Sequence, residues 1–178
     1  MTILFINGSP RRHGNTATLG ERLLTDCPHT TRHLTDYTLH FVQDDRETDR
    51  DQRDTSDDYE AFMRTDFARA SDIVLGTPVY WYGMTGLLKV FMDRWFDSFS
   101  HDFPFAGKRV YLLIVGADQP ERKATGIADA VRASCDWLQM DFQGTGIVTA
   151  DGAHDVAARS TLPESCLALR RQFLTLTK

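Results

Sequence analysis

The stretch that decides the fold is ILFINGSPRRHGNTATL, residues 3–19. Four apolar residues, Ile3 to Ile6, end abruptly at Asn7-Gly8, and a helical pattern then begins at Asn15 with Leu19, Leu23 and Leu24 on one face. An apolar run too short for a helix and closed by glycine reads as a strand buried on both faces. A strand that passes through a polar, glycine-bearing loop into a helix is the opening unit of a parallel α/β sheet.

The same punctuation recurs downstream. Ile73-Val74-Leu75 stops at Gly76-Thr77-Pro78, and VYLLIV, residues 110–115, stops at Gly116. Weaker runs at Thr31 to Leu34 and at Gly146-Ile147-Val148 bring the expected strands to five. Helical patterns fill the gaps at Asn15 to Asp26, Asp58 to Ala70, Met84 to Phe99, Thr125 to Met140 and Pro163 to Leu176. In the last of these Pro163 suits the first helical turn. Right-handed crossovers place helices on both sides of such a sheet, so the expected fold is α/β, a three-layer α/β/α sandwich. Five strands predict a parallel sheet in the order 2-1-3-4-5, the flavodoxin-like arrangement. A chain of 178 residues suits one domain, spanning 1–178.

Composition narrows the function. Hydrophobic content of 42% and charged content of 25% are globular values. A net charge of −5 argues against a nucleic-acid binder that works by phosphate neutralisation. Cys27, Cys135 and Cys166 are far apart, which fits neither a disulfide framework nor a close-spaced metal set. They lie in helical patterns and read as small buried hydrophobes. The histidines have no metal-ligand spacing, so no metal site is expected. No apolar run approaches the roughly 20 residues of a membrane span. The apolar stretch at the N-terminus precedes its basic pair, the reverse of a signal peptide. The expectation is a cytoplasmic protein with no membrane partner. One segment stands out: Asp44 to Asp58 holds eight acids and three arginines, a local charge of −5. It reads as a solvated loop between the second strand and second helix.

Ligands of open α/β sheets bind outside the carboxyl ends of the strands, where the strand order reverses. The loop after strand one, Asn7 to Ala17, enters a helix whose first N–H groups favour an anion. Ser9, Asn15 and Thr16 add short polar groups, and Arg11 or Arg12 can add a charge-assisted bond, a set suited to a terminal phosphate. The same residues would also serve as an ordinary turn and cap. Five residues separate Gly8 from Gly14 and Asn15 follows, which excludes a Walker loop, and no dinucleotide fingerprint is present. The small tyrosine phosphatases place a cysteine in this loop, and this chain has none there. The loop after strand three, GTPVYWYGMTG at residues 76–86, sets three aromatics between glycines, a flat wall for a planar ring. A hydrophobic plug or an oligomer contact is the competing reading. The loop after strand four, Gly116-Ala117-Asp118-Gln119-Pro120, lets backbone approach a ligand closely.

At these loops the chain resembles the flavodoxin-like NAD(P)H-dependent FMN reductase and quinone reductase family. GSPRRHGNT and GTPVYWYGMTGLLKVFMDRW carry the likeness, which covers roughly residues 1–150. It matches at Gly8, Ser9, Pro10, Arg11, Gly14, Asn15, Thr16, Pro78, Tyr80, Lys89, Asp93 and Arg94. It is most similar to the branch that includes iron–sulfur flavoproteins, yet the region from Thr38 to Asp58 lacks that branch's cluster cysteines. The resemblance implies an oxidoreductase with FMN as cofactor and NAD(P)H as co-substrate. It implies phosphate binding at Ser9, Arg11, Gly14, Asn15, Thr16 and Ala17. It implies an isoalloxazine against Pro78, Val79, Tyr80, Trp81, Gly83 and Met84, with Gly116 and Ala117 nearby.

In such an enzyme the hard chemistry belongs to the cofactor, and no catalytic side chain is expected. The acceptor would be a quinone, flavin, nitro or azo compound. The rival is a flavodoxin-type electron carrier that docks a partner protein through its acidic surface, although carriers resemble T-x-T-G-x-T where this chain has SPRRHGNT. A flavin-free interaction protein on the same fold is a third reading. The third helix predicts a homodimer or higher homo-oligomer. Met84, Leu88, Phe91, Trp95 and Phe99 would cover the sheet, leaving Leu87, Val90, Met92 and Phe96 as a second apolar face.

Overall fold

Successive side chains of a strand point to opposite faces, and here both faces are buried. The computed structural model describes residues 2–44 and 54–176. Its five parallel strands are β1 (Ile3–Asn7), β2 (His29–His33), β3 (Asp72–Pro78), β4 (Arg109–Gly116) and β5 (Asp141–Thr149). They are ordered β2-β1-β3-β4-β5, as expected. Leu4, Ile6, Ile73, Leu75, Leu112 and Ile114 enter one core. Their neighbours Ile3, Phe5, Val74, Tyr111, Leu113 and Val115 enter the other. Each such side chain contributes about 1.5–3 kcal/mol on burial, which is why these runs are apolar at every position.

Helices α1 (Asn15–Leu24), α7 (Asp155–Ala158) and α8 (Glu164–Leu176) cover the second core through residues such as Leu19, Val156 and Phe173. The first core lies under α2 (Tyr59–Phe62), which runs on into a π-helical turn at Met63–Phe67, and under α3 (Gly86–Asp93), α4 (Trp95–Phe99) and α6 (Thr125–Trp137). A short α5 (Pro120–Lys123) links β4 to α6. Phe67 is the hub of the first core, its ring centroid 5.9 Å from each of Trp95, Phe103 and Phe105.

Several boundaries differ from those expected. β2, sequence HTTRH, begins at His29 and stays half-buried at the sheet edge, while Leu34 leaves it for a 3-10 turn. β5 begins at Asp141 because it pairs along the whole of β4. The single helix expected from Met84 to Phe99 is two helices. Thr85 caps α3, its Oγ1 accepting from the Leu88 N–H at 3.2 Å, and the chain turns at Arg94 before α4. The break rotates the apolar pattern. Phe99, expected to cover the sheet, is 47% exposed, and Met92, expected on the outer face, is 8% exposed.

Of the acidic segment, residues 45–53 lie outside the described residues. Asp57 departs from the solvated reading: it is paired with Arg94, and neither side chain reaches solvent. Arg94 also pairs with Asp97 and lies 4.4 Å from the Tyr59 ring centroid. It donates to the His40 carbonyl at 3.2 Å, while the His40 N–H donates to Asp57 at 2.8 Å. The chain on either side of the acidic segment is thereby tied to the α3–α4 junction.

Candidate functional site

The loop after β1 is folded by its own short polar groups. Asn7 is fully buried; its Oδ1 accepts from the Ser9 N–H at 3.1 Å, and Ser9 Oγ accepts from the Arg11 N–H at 3.1 Å. Asn7 Nδ2 lies 2.9 Å from Nδ1 of His33 at the end of β2. Burial, with Arg12 nearby, lowers the His33 pKa and favours a neutral ring that accepts there. Gly8 donates to the Gly76 carbonyl at 2.8 Å. A Cβ on Gly8 would lie 2.8 Å from that of Leu88, so glycine is what lets this loop approach α3.

Gly14 leads into α1 in an extended conformation, and no side chain caps the helix. The first backbone bond into the turn runs from the Thr18 N–H to the Gly14 carbonyl, 3.0 Å. Among the described residues, the N–H groups of Asn15, Thr16 and Ala17 and the Thr16 hydroxyl have no acceptor or donor of their own. Four groups free to bond at the positive end of a helix dipole form an anion cradle.

The flanking side chains differ in role. Asn15 turns its carboxamide away: Nδ2 donates to the Gly152 carbonyl at 2.7 Å and Oδ1 accepts from the Val156 N–H at 3.1 Å. It ties α1 to α7, and only its backbone faces the cradle. Arg11 and His13 are exposed, and Arg12 pairs with Asp36. Lys89 and Asp93 pair with each other on α3, whereas Arg94 is buried in the network described above.

Thr85 joins this loop to the next. Its Oγ1 donates to the Gly8 carbonyl at 2.7 Å, and its N–H donates to Thr77 Oγ1 at 3.0 Å. The Val79 N–H reaches the Val115 carbonyl at 2.8 Å, which prolongs β3 toward the β4 loop. Tyr80 and Gly83 then exchange two backbone hydrogen bonds of 3.0 Å around Trp81 and Tyr82. Both central residues have positive φ, 50° and 62°. Such two-residue turns usually carry Asn-Gly, and bulky residues there cost about 1–2 kcal/mol each. A cleft of about 200 Å³ lies between this turn and the β4 loop, lined by Val79, Trp81, Tyr82, Gly116, Ala117 and Pro120 among others. Gly116 is required for that closeness, since its Cβ would lie 2.8 Å from Val79 Cγ2.

The predicted phosphate and ring residues thus lie on adjoining loops at one end of the sheet. Pro78 and Met84 are partly buried, and Met84 packs on the first core. Sequence reasoning missed Asn7, Thr77 and Thr85, which fix the loops to one another. Thr85 had a readable signal, a threonine just ahead of a helical pattern. An uncapped helix start and a partly apolar, aromatic-lined cleft on adjoining loops fit a planar ring system bearing one phosphate.

The model of the NADPH-dependent FMN reductase family matches residues 1–155. The chain belongs to this family. As a family member it is an oxidoreductase that uses FMN and NAD(P)H. A Bacillus subtilis protein named as an NAD(P)H-dependent FMN-containing oxidoreductase, YwqN, is 29% identical over 150 residues, covering 81% of this chain and 82% of that one. The Trp repressor binding protein of Bacillus subtilis shares the fold, with a TM-score of 0.72 at 24% identity over 95% of this chain and 96% of that one. An FMN-dependent NADH-azoreductase from Bacillus anthracis, solved in complex with FMN, gives 0.68 at 12% identity with both chains covered fully, 100%. Among the described residues no helix is long and apolar enough to cross a membrane.

Proposed function

We propose that this FMN reductase family member passes electrons from NAD(P)H through FMN to a small planar acceptor such as a quinone, flavin, nitro or azo compound. The observation that carries the reading is the Thr85–Gly8 bond of 2.7 Å, which holds the α1 cradle and the aromatic turn together. In this reading the N–H groups of Asn15, Thr16 and Ala17, the Thr16 hydroxyl and Ser9 hold the phosphate, with Gly14 letting the chain turn into the cradle and Arg11 as counter-charge. Pro78, Val79, Tyr80, Trp81, Gly83 and Met84 form one wall for the ring, and Gly116 and Ala117 another. FMN, when bound, supplies hydride acceptance from the nicotinamide and electron delivery to the acceptor. The protein orients the ring, keeps water from one side and leaves the other open. No side-chain acid or base is assigned to the hydride step.

The enzyme is a single domain over residues 1–178 that works as a homodimer or higher homo-oligomer in the cytoplasm. The half-buried Leu87, Val90 and Phe96 support association, as does the exposed pair Phe99–Trp137, whose ring centroids are 6.4 Å apart. Three buried thiols suit a reducing compartment.

An absorbance spectrum of the purified protein tests the reading. Flavin bands near roughly 375 and 450 nm are expected, bleached by anaerobic NADH or NADPH and restored by a quinone. Failure to bind FMN, or a clear preference for FAD, would overturn it. Bound flavin that neither NADH nor NADPH bleaches would favour the carrier, which uses FMN but not NAD(P)H.

A further inference from the structure

The aromatic turn is restrained by more than its own backbone. Trp81 and Tyr82 lie at φ 50° and 62°, a conformation that bulky residues keep only where their surroundings hold it. Trp81 supplies no restraint, being 96% exposed. The hold comes from the next loop. The Tyr82 hydroxyl donates to Asp118 Oδ2 at 3.1 Å. Lys123 Nζ donates to both Asp118 oxygens, at 2.7 and 2.6 Å, and lies 6.0 Å from the Tyr82 ring centroid. Lys123 first, and then Tyr82, hold the Asp118 carboxyl below its usual range. These contacts join the turn to the β4 loop and add to the two Tyr80–Gly83 backbone bonds that hold the left-handed residues.

We infer that Asp118 is a positioning residue: through Tyr82 it locks the turn in its left-handed form and keeps the Trp81 indole standing at the rim of the cleft where the acceptor arrives. The inference rests on the proposed function for what arrives there. Its structural content stands apart from that function. With the lock removed, the turn relaxes to negative φ and the indole falls inward, onto the cleft at Val79 and Ala117 in the flavin-free protein and across the entrance when FMN fills the cleft.

The test uses a Trp137→Phe background, in which Trp81 is the one exposed tryptophan, since Trp95 is 3% exposed. Acrylamide should quench Trp81 strongly in the flavin-free protein. Adding Asp118→Ala or Tyr82→Phe should lower the quenching and shift the emission to the blue. Asp118→Asn keeps an oxygen for the Tyr82 hydroxyl and should restore both signals. In the FMN-loaded protein, Asp118→Ala and Tyr82→Phe should each raise KM for the acceptor about threefold to tenfold, the scale of one ordinary hydrogen bond's net contribution. The double variant should be no worse than either single one, because a single lock can be lost only once. Equal quenching in all variants, or KM effects that add, would overturn the inference. Absence of FMN binding in the unaltered protein would overturn the proposed function instead, and the quenching comparison would still decide the lock.

Discussion

Arg94 and Asp57 meet in a salt bridge from which solvent is wholly excluded on both sides. The pair brings the charged end of an acidic segment into contact with the α3–α4 junction. Taking one charge from a buried pair leaves the other uncompensated, which costs about 3–5 kcal/mol. Asp57→Ala should therefore lower stability by about that amount in urea unfolding. Asp54→Ala, in the same segment but exposed, should change it little. Equal effects from the two variants would remove the structural distinction between them.

Acid should unfold the protein partly through Asp57 and Asp72. For Asp72, burial alone would raise the pKa, but Arg109 and Ser71 outweigh it and the value is lowered. Arg109 grips its carboxylate at 2.6 and 2.8 Å. For Asp57, burial is likewise outweighed, by the His40 N–H and Arg94. Carboxyls with depressed folded pKa values stabilise fully above the ordinary value of 3.8, and that stability is lost as pH falls through the folded value. A plot of unfolding free energy against pH should begin to decline below about pH 6.5, where His33, its folded pKa lowered, takes up a proton more readily in the unfolded chain, and fall more steeply below about pH 5. Asp72→Asn should flatten the acid limb.

At the cradle, side chains that face the phosphate should separate from those that face away. Thr16→Val should weaken FMN binding by about 1–3 kcal/mol with little change in the melting temperature of the flavin-free protein. Asn15→Ala should do the reverse, loosening the α1–α7 contact while FMN affinity holds. Calorimetric titration and thermal melts of both variants check this. A large affinity loss from Asn15→Ala would put its side chain back at the ligand.

Thr85→Ala removes a helix cap and the bond to Gly8 together. A stability loss of about 1–2 kcal/mol is expected, with weaker FMN binding as well because the two loops separate. A variant that melts lower yet binds FMN normally would show that the loops are aligned by other contacts.

Phe96→Glu should split the oligomer and lower NAD(P)H oxidation while each monomer stays folded. Light scattering at micromolar concentration reads the outcome. A fully active monomeric wild type would end the assembly proposal.

The three strands that build the site were legible in the sequence because β1, β3 and β4 are buried on both faces and each carries an uninterrupted apolar run. β2 was harder to place, since an edge strand of sequence HTTRH needs no apolar side chain. The loops after β1 and β3 were legible through their glycines, yet the side chains that join them were not. Thr85 and Gly8 are 77 residues apart, and a cap and a tertiary clamp look identical in one dimension. Asp57 was hidden for a similar reason. An acid among acids reads as hydrated until its partner, 37 positions away, is known.

The three thiols are shut inside the two cores, Cys135 in the first and Cys27 and Cys166 in the second. Burial pushes Cys135 up to about 12 and Cys166 to about 11, and Cys27, just beyond α1, is 5% exposed. A thiol of that kind reacts with an alkylating reagent only after its surroundings open. Each cysteine is therefore a built-in clock. The rate at which iodoacetamide labels Cys27, Cys135 or Cys166 would time the opening of the α1 end, of α6 and of α8 separately, without adding a probe to the chain.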